Sequence, residues 1–345
     1  MSNAPRIDDI EKKVNASSVN NLFINSAMDF WQRGTSISAP GNTVFYGTAD
    51  RWAHDVGGGG ADGDFERSTD VPNSLFKYSL LATATGDGGD TIMIGQRLEA
   101  GDIRPYIGRT MTVSFWAKAS SALTHSLSIL TPVGAEDTWD TASLVGNTSG
   151  GIDIEEFKQN LNFTTSWIRY SYTFVVPATA ADGLAITLGQ IATAATSDEF
   201  YTTGWMLHEG SEIVDFQRAG RNMQDELSMC QRYHVSTNPQ ARLFAHHGTG
   251  FMGNPTLFQG SLTLPVSMRI VPSASLTGAF RISTLATTNP VNNGSLGIGT
   301  SGSLFNGNIL GFSVSLSSGS ATAGQGASMG GANDVTAKFS IDAEL

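Results

Sequence analysis

Two stretches decide the fold class: Thr110-Met111-Thr112-Val113-Ser114-Phe115-Trp116-Ala117-Lys118-Ala119-Ser120 and Trp167-Ile168-Arg169-Tyr170-Ser171-Tyr172-Thr173-Phe174-Val175-Val176-Pro177. In the first, Val113, Phe115 and Ala117 point to one side, and Thr112, Ser114, Trp116 and Lys118 to the other. In the second, Ile168, Tyr170, Tyr172, Phe174 and Val176 share a face against Arg169, Ser171 and Thr173. Side chains alternate along a strand, so a period of two marks half-buried strands. Pro177 closes the second strand because it has no N–H to donate to a ladder. Two long strands of this kind, bounded by turn residues, predict a β-sandwich core.

The chain on either side reads as additions to that core. Leu22-Phe23-Ile24 and Phe30-Trp31 open the first folded unit, and Gly41-Asn42 is a turn. Asp50-Arg51-Trp52 leads into a Gly57–Gly60 loop, and a loop from Gly86 to Asp90 precedes a strand from Thr91 to Leu98. From Thr131 to Phe157 the pattern is irregular. Leu184, Ile186 and Leu188 alternate again, and Gly204 to Leu207 is a further strand. Asn222 to Tyr233 reads as a helix, with Asn222 as N-cap and Asp225 and Glu226 near the positive end of the dipole. Met223, Leu227, Cys230 and His234 form its apolar stripe, which makes Cys230 a buried small residue. Beyond Thr237 the text is β again, at Leu257–Met268, Phe280–Ile282, Ile309–Leu316 and Val335–Ile341. Gly319 to Asp334 is Gly-rich, lacks a hydrophobic period, and reads as a long loop. In residues 1–21, Ile7, Ile10 and Val14 fit successive heptad core positions, where isoleucine favours trimers, but Ser17 and Asn21 limit the pattern to two heptads; the alternative is a flexible arm that orders on docking. The expected organisation is all-β. It comprises an N-terminal arm (1–21), a jelly-roll β-sandwich (22–218), a linking helix (219–236) and a C-terminal β-sandwich-like domain (237–345) with its Gly-rich loop.

Composition narrows the function. Of the 345 residues 40% are hydrophobic, enough for real cores, and only 15% are charged, against roughly 25% in ordinary globular chains. A surface solvated by Ser, Thr, Asn and Gly is common in extracellular all-β proteins and viral fibres. The net charge of −11 argues against nucleic acid and anionic membrane as partners, since both are held by Lys/Arg patches. The single cysteine excludes a disulfide within the chain. Residues 1–20 hold no apolar signal-peptide core, and no run is long enough to span a membrane. An extracellular-looking protein without an export signal fits release by lysis as part of a particle.

The catalytic motifs do not carry an activity. Gly326-Ala327-Ser328-Met329-Gly330 has the nucleophile-elbow pattern but lies in the Gly-rich segment, without the strand before and helix after that the motif needs. Gly297-Ile298-Gly299-Thr300-Ser301-Gly302 has a dinucleotide-binding spacing without a βαβ unit around it. His246 and His247 are adjacent, so on a strand they face opposite ways. Acidic clusters occur at Asp62/Asp64, Asp87/Asp90, Asp137/Asp140 and Glu155/Glu156. Each could supply glycosidase carboxylates, which need a separation of roughly 5–9.5 Å. Loop aspartates and carbonyls can also hold Ca²⁺, although no run has EF-hand spacing.

Several motifs together resemble one group of proteins. They are Asn21-Leu22-Phe23-Ile24-Asn25, Asp29-Phe30-Trp31-Gln32-Arg33-Gly34-Thr35, Thr48-Ala49-Asp50-Arg51-Trp52, Ser114-Phe115-Trp116-Ala117-Lys118, Glu209-Gly210 with Asp215-Phe216, and Cys230-Gln231-Arg232-Tyr233. Pro265-Val266-Ser267-Met268-Arg269 with Pro272, and Asp342-Ala343-Glu344-Leu345, continue the likeness to the chain's end. The chain resembles tail-fibre and related virion proteins of tailed bacteriophages that carry a carbohydrate-binding-module-like jelly roll. Met206-Leu207-His208-Glu209-Gly210 departs from that group's Gln-Leu-Glu-Glu-Gly run, and the chain is short for a whole fibre.

The resemblance implies a non-enzymatic virion protein, trimeric, anchored to other virion proteins through residues 1–21 and attached to a host-surface glycan. A capsid decoration or head-fibre protein and a polysaccharide depolymerase are the alternatives. It implies no cofactor, although relatives of this jelly roll often hold a structural calcium. Trp31, Trp52 and Trp116 are expected in the core, and Trp167 and Trp205 at structural strand positions. Trp139 stands in the irregular stretch between Asp137 and Asp140. An exposed indole flanked by carboxylates suits a sugar, whose C–H face packs on the ring while the oxygens accept hydroxyl hydrogen bonds; alternatively Trp139 covers the edge of the core. Trp139, Asp137 and Asp140 are the expected ligand-binding residues, with the Gly319–Asp334 loop next.

Overall fold

A computed structural model describes residues 20–345 except 41–42, 58–61, 86–90, 142, 147–152, 191–196, 238–245, 285–287, 292–295, 299–304, 307, 317–318 and 335. The heptad positions Ile7, Ile10 and Val14, the Gly58–Gly60 part of the first Gly-rich loop and the Asp87/Asp90 cluster lie outside the described residues. The chain divides into two compact units, Met1–Glu226 with Leu345, and Leu227–Glu344.

The first unit is a two-sheet jelly-roll sandwich. Its strands are β1 (Ser36–Pro40), β2 (Ala53–Gly57), β3 (Asp62–Ser68), β4 (Ser79–Ala84), β5 (Thr91–Leu98), β6 (Thr110–Ala119), β7 (Leu123–Pro132), β8 (Asp153–Phe163), β9 (Ile168–Val175), β10 (Leu184–Gln190) and β11 (Glu199–Glu209). One sheet has six strands in the order β1-β3-β4-β11-β6-β9, and the other has five in the order β2-β5-β10-β7-β8. A short helix, α1 (Ala100–Ile103), follows β5. The deciding stretches pair directly, with Met111 opposite Phe174, Val113 opposite Tyr172 and Phe115 opposite Tyr170. Those residues pack into the sandwich core, as the alternation requires.

Around them the core is aromatic. Phe115 stacks on Trp205 at 4.0 Å between centroids, and Trp205 touches Trp52 at 5.1 Å and Phe23 at 5.7 Å. A fully buried side chain of this size contributes about 1.5–3 kcal/mol of burial free energy. Phe200, Trp205 and Leu207 all face inward, although 200 to 205 is an odd step. A register shift between Thr203 and Met206 absorbs the extra residue. Gly204, at φ +67°, supplies the left-handed backbone that this bulge uses.

The sequence motifs meet in a buried polar knot. The Gln32 backbone N–H and side-chain amide donate to the two Asp50 carboxylate oxygens at 3.0 and 2.7 Å. The Asn25 amide donates to the carbonyls of Phe30 and Asp50, and the Trp52 indole donates to the Asn25 carbonyl. These residues position backbone in the interior, where an unpaired polar group would be costly. Asn21 belongs to the same interior, its amide donating to the carbonyls of Trp205 and Gln217.

The second unit contains β12 (His234–Ser236), β13 (His246–Asn254), β14 (Leu257–Thr263), β15 (Ser273–Thr277), β16 (Phe280–Thr284), β17 (Thr288–Val291), β18 (Leu296–Ile298), β19 (Phe305–Asn306), β20 (Ile309–Ser315), β21 (Gly326–Gly331) and β22 (Lys338–Asp342). They form a three-stranded sheet, β12-β22-β15, and an eight-stranded sheet built on β17-β16-β21-β13-β14-β20-β18, with β19 on β20. The two sheets share a core of Phe258, Phe280, Phe312, Met329, Phe339 and Ile341.

Helix α2 (Met223–Gln231) is the expected linking helix, shorter than 219–236. Asn222 caps it, its side-chain oxygen accepting from the N–H groups of Gln224 and Asp225. The expected stripe is corrected at both ends, since the helix stops at Gln231 and His234 lies in β12. Met223 is 47% exposed, whereas Glu226 is buried and accepts hydrogen bonds from the N–H groups of Asn25 and Gly220. Cys230 is buried, as read. The Gly319–Asp334 loop is corrected as well: its Gly326–Gly331 part is β21, paired with β13 and β16.

Candidate functional site

The residues expected to bind ligand lie over the outer face of the five-stranded sheet. The described part of the connection between β7 and β8, residues 133–141 and 143–146, lies over that face through Trp139 and Leu144. Trp139 packs on Leu130, Ala185 and Leu345, and Leu144 packs on Ala53 and Met93 beside Val44 and Tyr46. Trp139 is only 6% exposed. The expectation of an exposed indole is corrected: the irregular stretch folds back onto a sheet and closes over its own tryptophan. Arg97, on β5, places its guanidinium 5.4 Å from the Trp139 ring centroid and donates to the Asp140 carbonyl.

At this site Asp137 bonds through its side chain and Asp140 through its backbone. Asp137 has φ +54°, and its carboxylate accepts the Ala100 N–H at the start of α1 at 2.8 Å. The Asp140 N–H donates to the buried Asp153 carboxylate. Asp55, on β2, accepts from the Leu144 N–H and the Ser143 hydroxyl. Two buried carboxylates thus pin the roof. Burial raises the Asp153 carboxyl to about 6, against the opposing Asp140 N–H bond and Arg97 charge. Asp55 is raised by burial too.

The outer face of the six-stranded sheet differs. Tyr201 pairs with Lys118 on one side and Leu81 on the other. Leu81 pairs with Glu66, and Glu66 with Ser36. These residues therefore form one row across five strands, on the face opposite the core residues Phe200, Ala117 and Ala82. Trp167 extends the row at the start of β9. Its ring lies 6.3 Å from that of Tyr201, at 71°. The Lys118 ammonium sits 4.5 Å from the Tyr201 centroid and 5.7 Å from the Trp167 centroid. Both rings are half-buried, as is Trp116 on the same face, which corrects its expected place in the core.

Hydrogen bonds fix the row. The Trp167 indole donates to Asp70 at 2.9 Å, and Lys118 donates to the other Asp70 oxygen. The Tyr201 hydroxyl donates to Glu199 at 2.8 Å. Burial and the Glu199 carboxylate push the Tyr201 phenol up to about 12, so it stays protonated. Partial burial acts to raise Asp70, but the bonds from Lys118 and Trp167 and the Lys118 charge outweigh it and hold the carboxyl below its usual range. Sequence reading assigned Trp167 a structural place. Its signal, a tryptophan one residue before a strand, acquires meaning only when Lys118 and Tyr201 are aligned beside it.

Of the remaining candidates, the Gly297–Gly302 run falls outside the described residues from Gly299 on, and Asp64 lies in β3 opposite Ser38 and Thr83. Ser328, of the nucleophile-elbow pattern, lies within β21. His246 is exposed and His247 buried, on opposite faces of β13 as read. Glu155 accepts from Ser128 and Lys158, and Glu156 from Thr131 and Thr179. Among the described residues no three His, Cys, Asp or Glu side chains come together in a metal-binding group. Among the described residues no helix is long and apolar enough to cross a membrane.

Comparison with solved structures finds carbohydrate-binding modules and a phage tailspike domain among the matches. A CBM4 structure is 19% identical, covers 54% of this chain and 98% of its own, and gives a TM-score of 0.34. A family 11 carbohydrate-binding module from Clostridium thermocellum, in complex with a β-1,3-1,4-mixed-linked tetrasaccharide, is 13% identical over 51% of this chain and 99% of its own, with a TM-score of 0.31. The enzymatically active domain of tailspike protein 4 of bacteriophage CBA120 is 16% identical over 55% of this chain and 21% of its own, with a TM-score of 0.32. No protein-family model and no curated protein matches the chain.

Proposed function

We propose that this protein is a structural component of a bacteriophage particle, a trimeric tail-fibre-type adhesin that attaches to a host-surface glycan. Residues 1–21 join it to other virion proteins, and it is released by lysis. The observation that carries the reading is the half-exposed row Trp167–Lys118–Tyr201–Leu81, with its two aromatic rings, on the outer face of a jelly roll. Rigid strands hold its rings in place, so contact with a ligand costs little ordering. The motif resemblance supplies the particle. Trimeric display raises the effective concentration of a weak site and converts single contacts into firm attachment.

The test uses the full-length chain. Light scattering at micromolar concentration is expected to give three times the chain mass. The purified protein is expected to compete with virions for host cells, and gold-labelled antibody to mark the tail on intact particles. A monomer removes the trimer. Label on the capsid alone, with no competition for cells, turns the reading to a decoration protein.

A further inference from the structure

Resting on the attachment reading, we propose that Trp167, Tyr201 and Leu81 form a stacking platform for an uncharged saccharide, whose hydroxyl groups donate to Asp70 and Glu199. The first support is the geometry of the rings. An indole and a phenol lie 6.3 Å apart and nearly perpendicular. One ring offers its face to the C–H side of a sugar, and the other its edge. Neither can swing away freely, because each polar atom is already tied to a carboxylate. A carboxylate oxygen has about two lone-pair sites, so Asp70 and Glu199 keep acceptor capacity beyond the bonds they make to the platform.

The second support is charge. Asp64 and Glu66 share this face with Asp70 and Glu199, by alternation along β3 and pairing with Thr83 and Leu81. Against these four carboxylates stand the Lys118 ammonium, already paired with Asp70, and the Arg169 guanidinium, which lies opposite Trp116 and donates to Ser114 and the Val214 carbonyl. The balance is 2 − 4 = −2. The Tyr201 hydroxyl adds no positive charge and no anion-binding site, since it stays protonated and points at Glu199. A uronic acid, a sialic acid or a phosphorylated sugar would meet repulsion here, in a chain of net charge −11. A neutral hexose polymer would not, and its hydroxyl donors match a surface rich in acceptors.

The third support is the contrast with Trp139. That indole is closed off by its own connection. The Trp167 ring keeps part of its surface in water although its indole N–H is held by Asp70, which Lys118 also binds. A half-exposed ring that is both rigid and bordered by acceptors is preorganised for a partner that offers an apolar face and hydroxyl groups.

The experiment titrates full-length protein with a panel of neutral oligosaccharides, including β-1,4-linked glucose and galactose hexamers, and with oligogalacturonates of equal length. Saturation-transfer NMR and calorimetry read the binding, and host-cell attachment is measured in parallel. At least one neutral saccharide is expected to bind, and the oligogalacturonates at least tenfold more weakly at low salt, with the gap narrowing as salt rises. Trp167→Ala is expected to weaken the neutral ligand tenfold or more, Trp167→Phe less, and Trp139→Phe not at all. The Phe variant keeps the test valid should the Ala variant misfold. Binding by acidic saccharides alone, binding indifferent to Trp167, or no binding by any neutral saccharide overturns the proposal. Host attachment that survives Trp167→Ala places the contact elsewhere and leaves the attachment reading standing. Saccharide binding through Trp167 without any attachment to cells removes the attachment reading and leaves the platform.

Discussion

The two outer faces of the first sandwich are built alike and end differently. The five-stranded sheet presents Asp55, Met93, Arg97, Leu130 and Thr187 away from the core, and all five are buried. The six-stranded sheet buries Thr112, Ser114 and Met206 at one end of its outer face, but it also presents Glu66, Leu81, Lys118 and Tyr201, and these remain half-buried or exposed. The difference is the connection between β7 and β8, which lies across one face and not the other. A tryptophan in an irregular stretch thus becomes core, and a tryptophan beside a regular strand becomes surface. Secondary structure decides which way a side chain points. The long connections decide whether water reaches it.

The largest expected effect breaks the roof. Trp139→Ala empties a buried site, and large aromatic truncations of that kind cost about 3–5 kcal/mol. Urea denaturation of the first unit should show the loss. Trp167→Ala, on the open face, is expected to change stability by less than about 1 kcal/mol. Equal losses for the two variants would mean that both faces are closed.

Next comes the pH dependence of the roof. The folded-state value of Asp153, about 6, lies above its ordinary 3.8, so the folded protein holds an extra proton between those values. Stability contributed by this group therefore falls as pH rises through that window and is level above it. Asp153→Asn removes the penalty, and its advantage should grow from pH 4 to pH 6, reaching on the order of 1–3 kcal/mol. The histidines act oppositely. Burial, then the Arg33 charge, lowers His54 to about 3, and burial lowers His125 to about 4. Each costs stability as pH falls below 6.5, by about 1.4 kcal/mol per pH unit. The acid loss of stability should consequently be steeper in Asp153→Asn than in the natural chain. A parallel pair of curves would show that Asp153 titrates normally.

The smallest effect sharpens the open face. Lys118 and Asp70 form an ion pair whose side chains are 17% and 47% exposed. A double-mutant cycle with Lys118→Met and Asp70→Asn should give a coupling below about 1 kcal/mol, smaller still at high salt. A coupling of several kcal/mol would show that the pair holds the sheet together and is not merely part of a surface platform.

Much of this was legible in advance. The alternation around Phe115 and Tyr172 predicted the two central strands and their inward faces, because a period of two is a local property of extended backbone. Asn222 announced its helix through short-range capping bonds. Strand β7 escaped notice because its outward residues are buried as well as its inward ones, which erases the alternation. Met223 was misread because the buried group on that face of α2 is a carboxylate, Glu226, satisfied by distant backbone N–H groups.

The candidate site was less legible, for a physical reason. Local periodicity and turn chemistry determined an all-β chain, two β-rich regions, a capped helix and an aromatic core. Tertiary structure alone decided which tryptophans meet water. Trp167, Lys118, Tyr201 and Leu81 lie far apart in the chain and become neighbours only through the register of β4, β11 and β6. Trp139 is covered because its connection returns over β5, β10 and β7. Burial and cross-strand alignment are sums over distant segments, and no single stretch of sequence contains them.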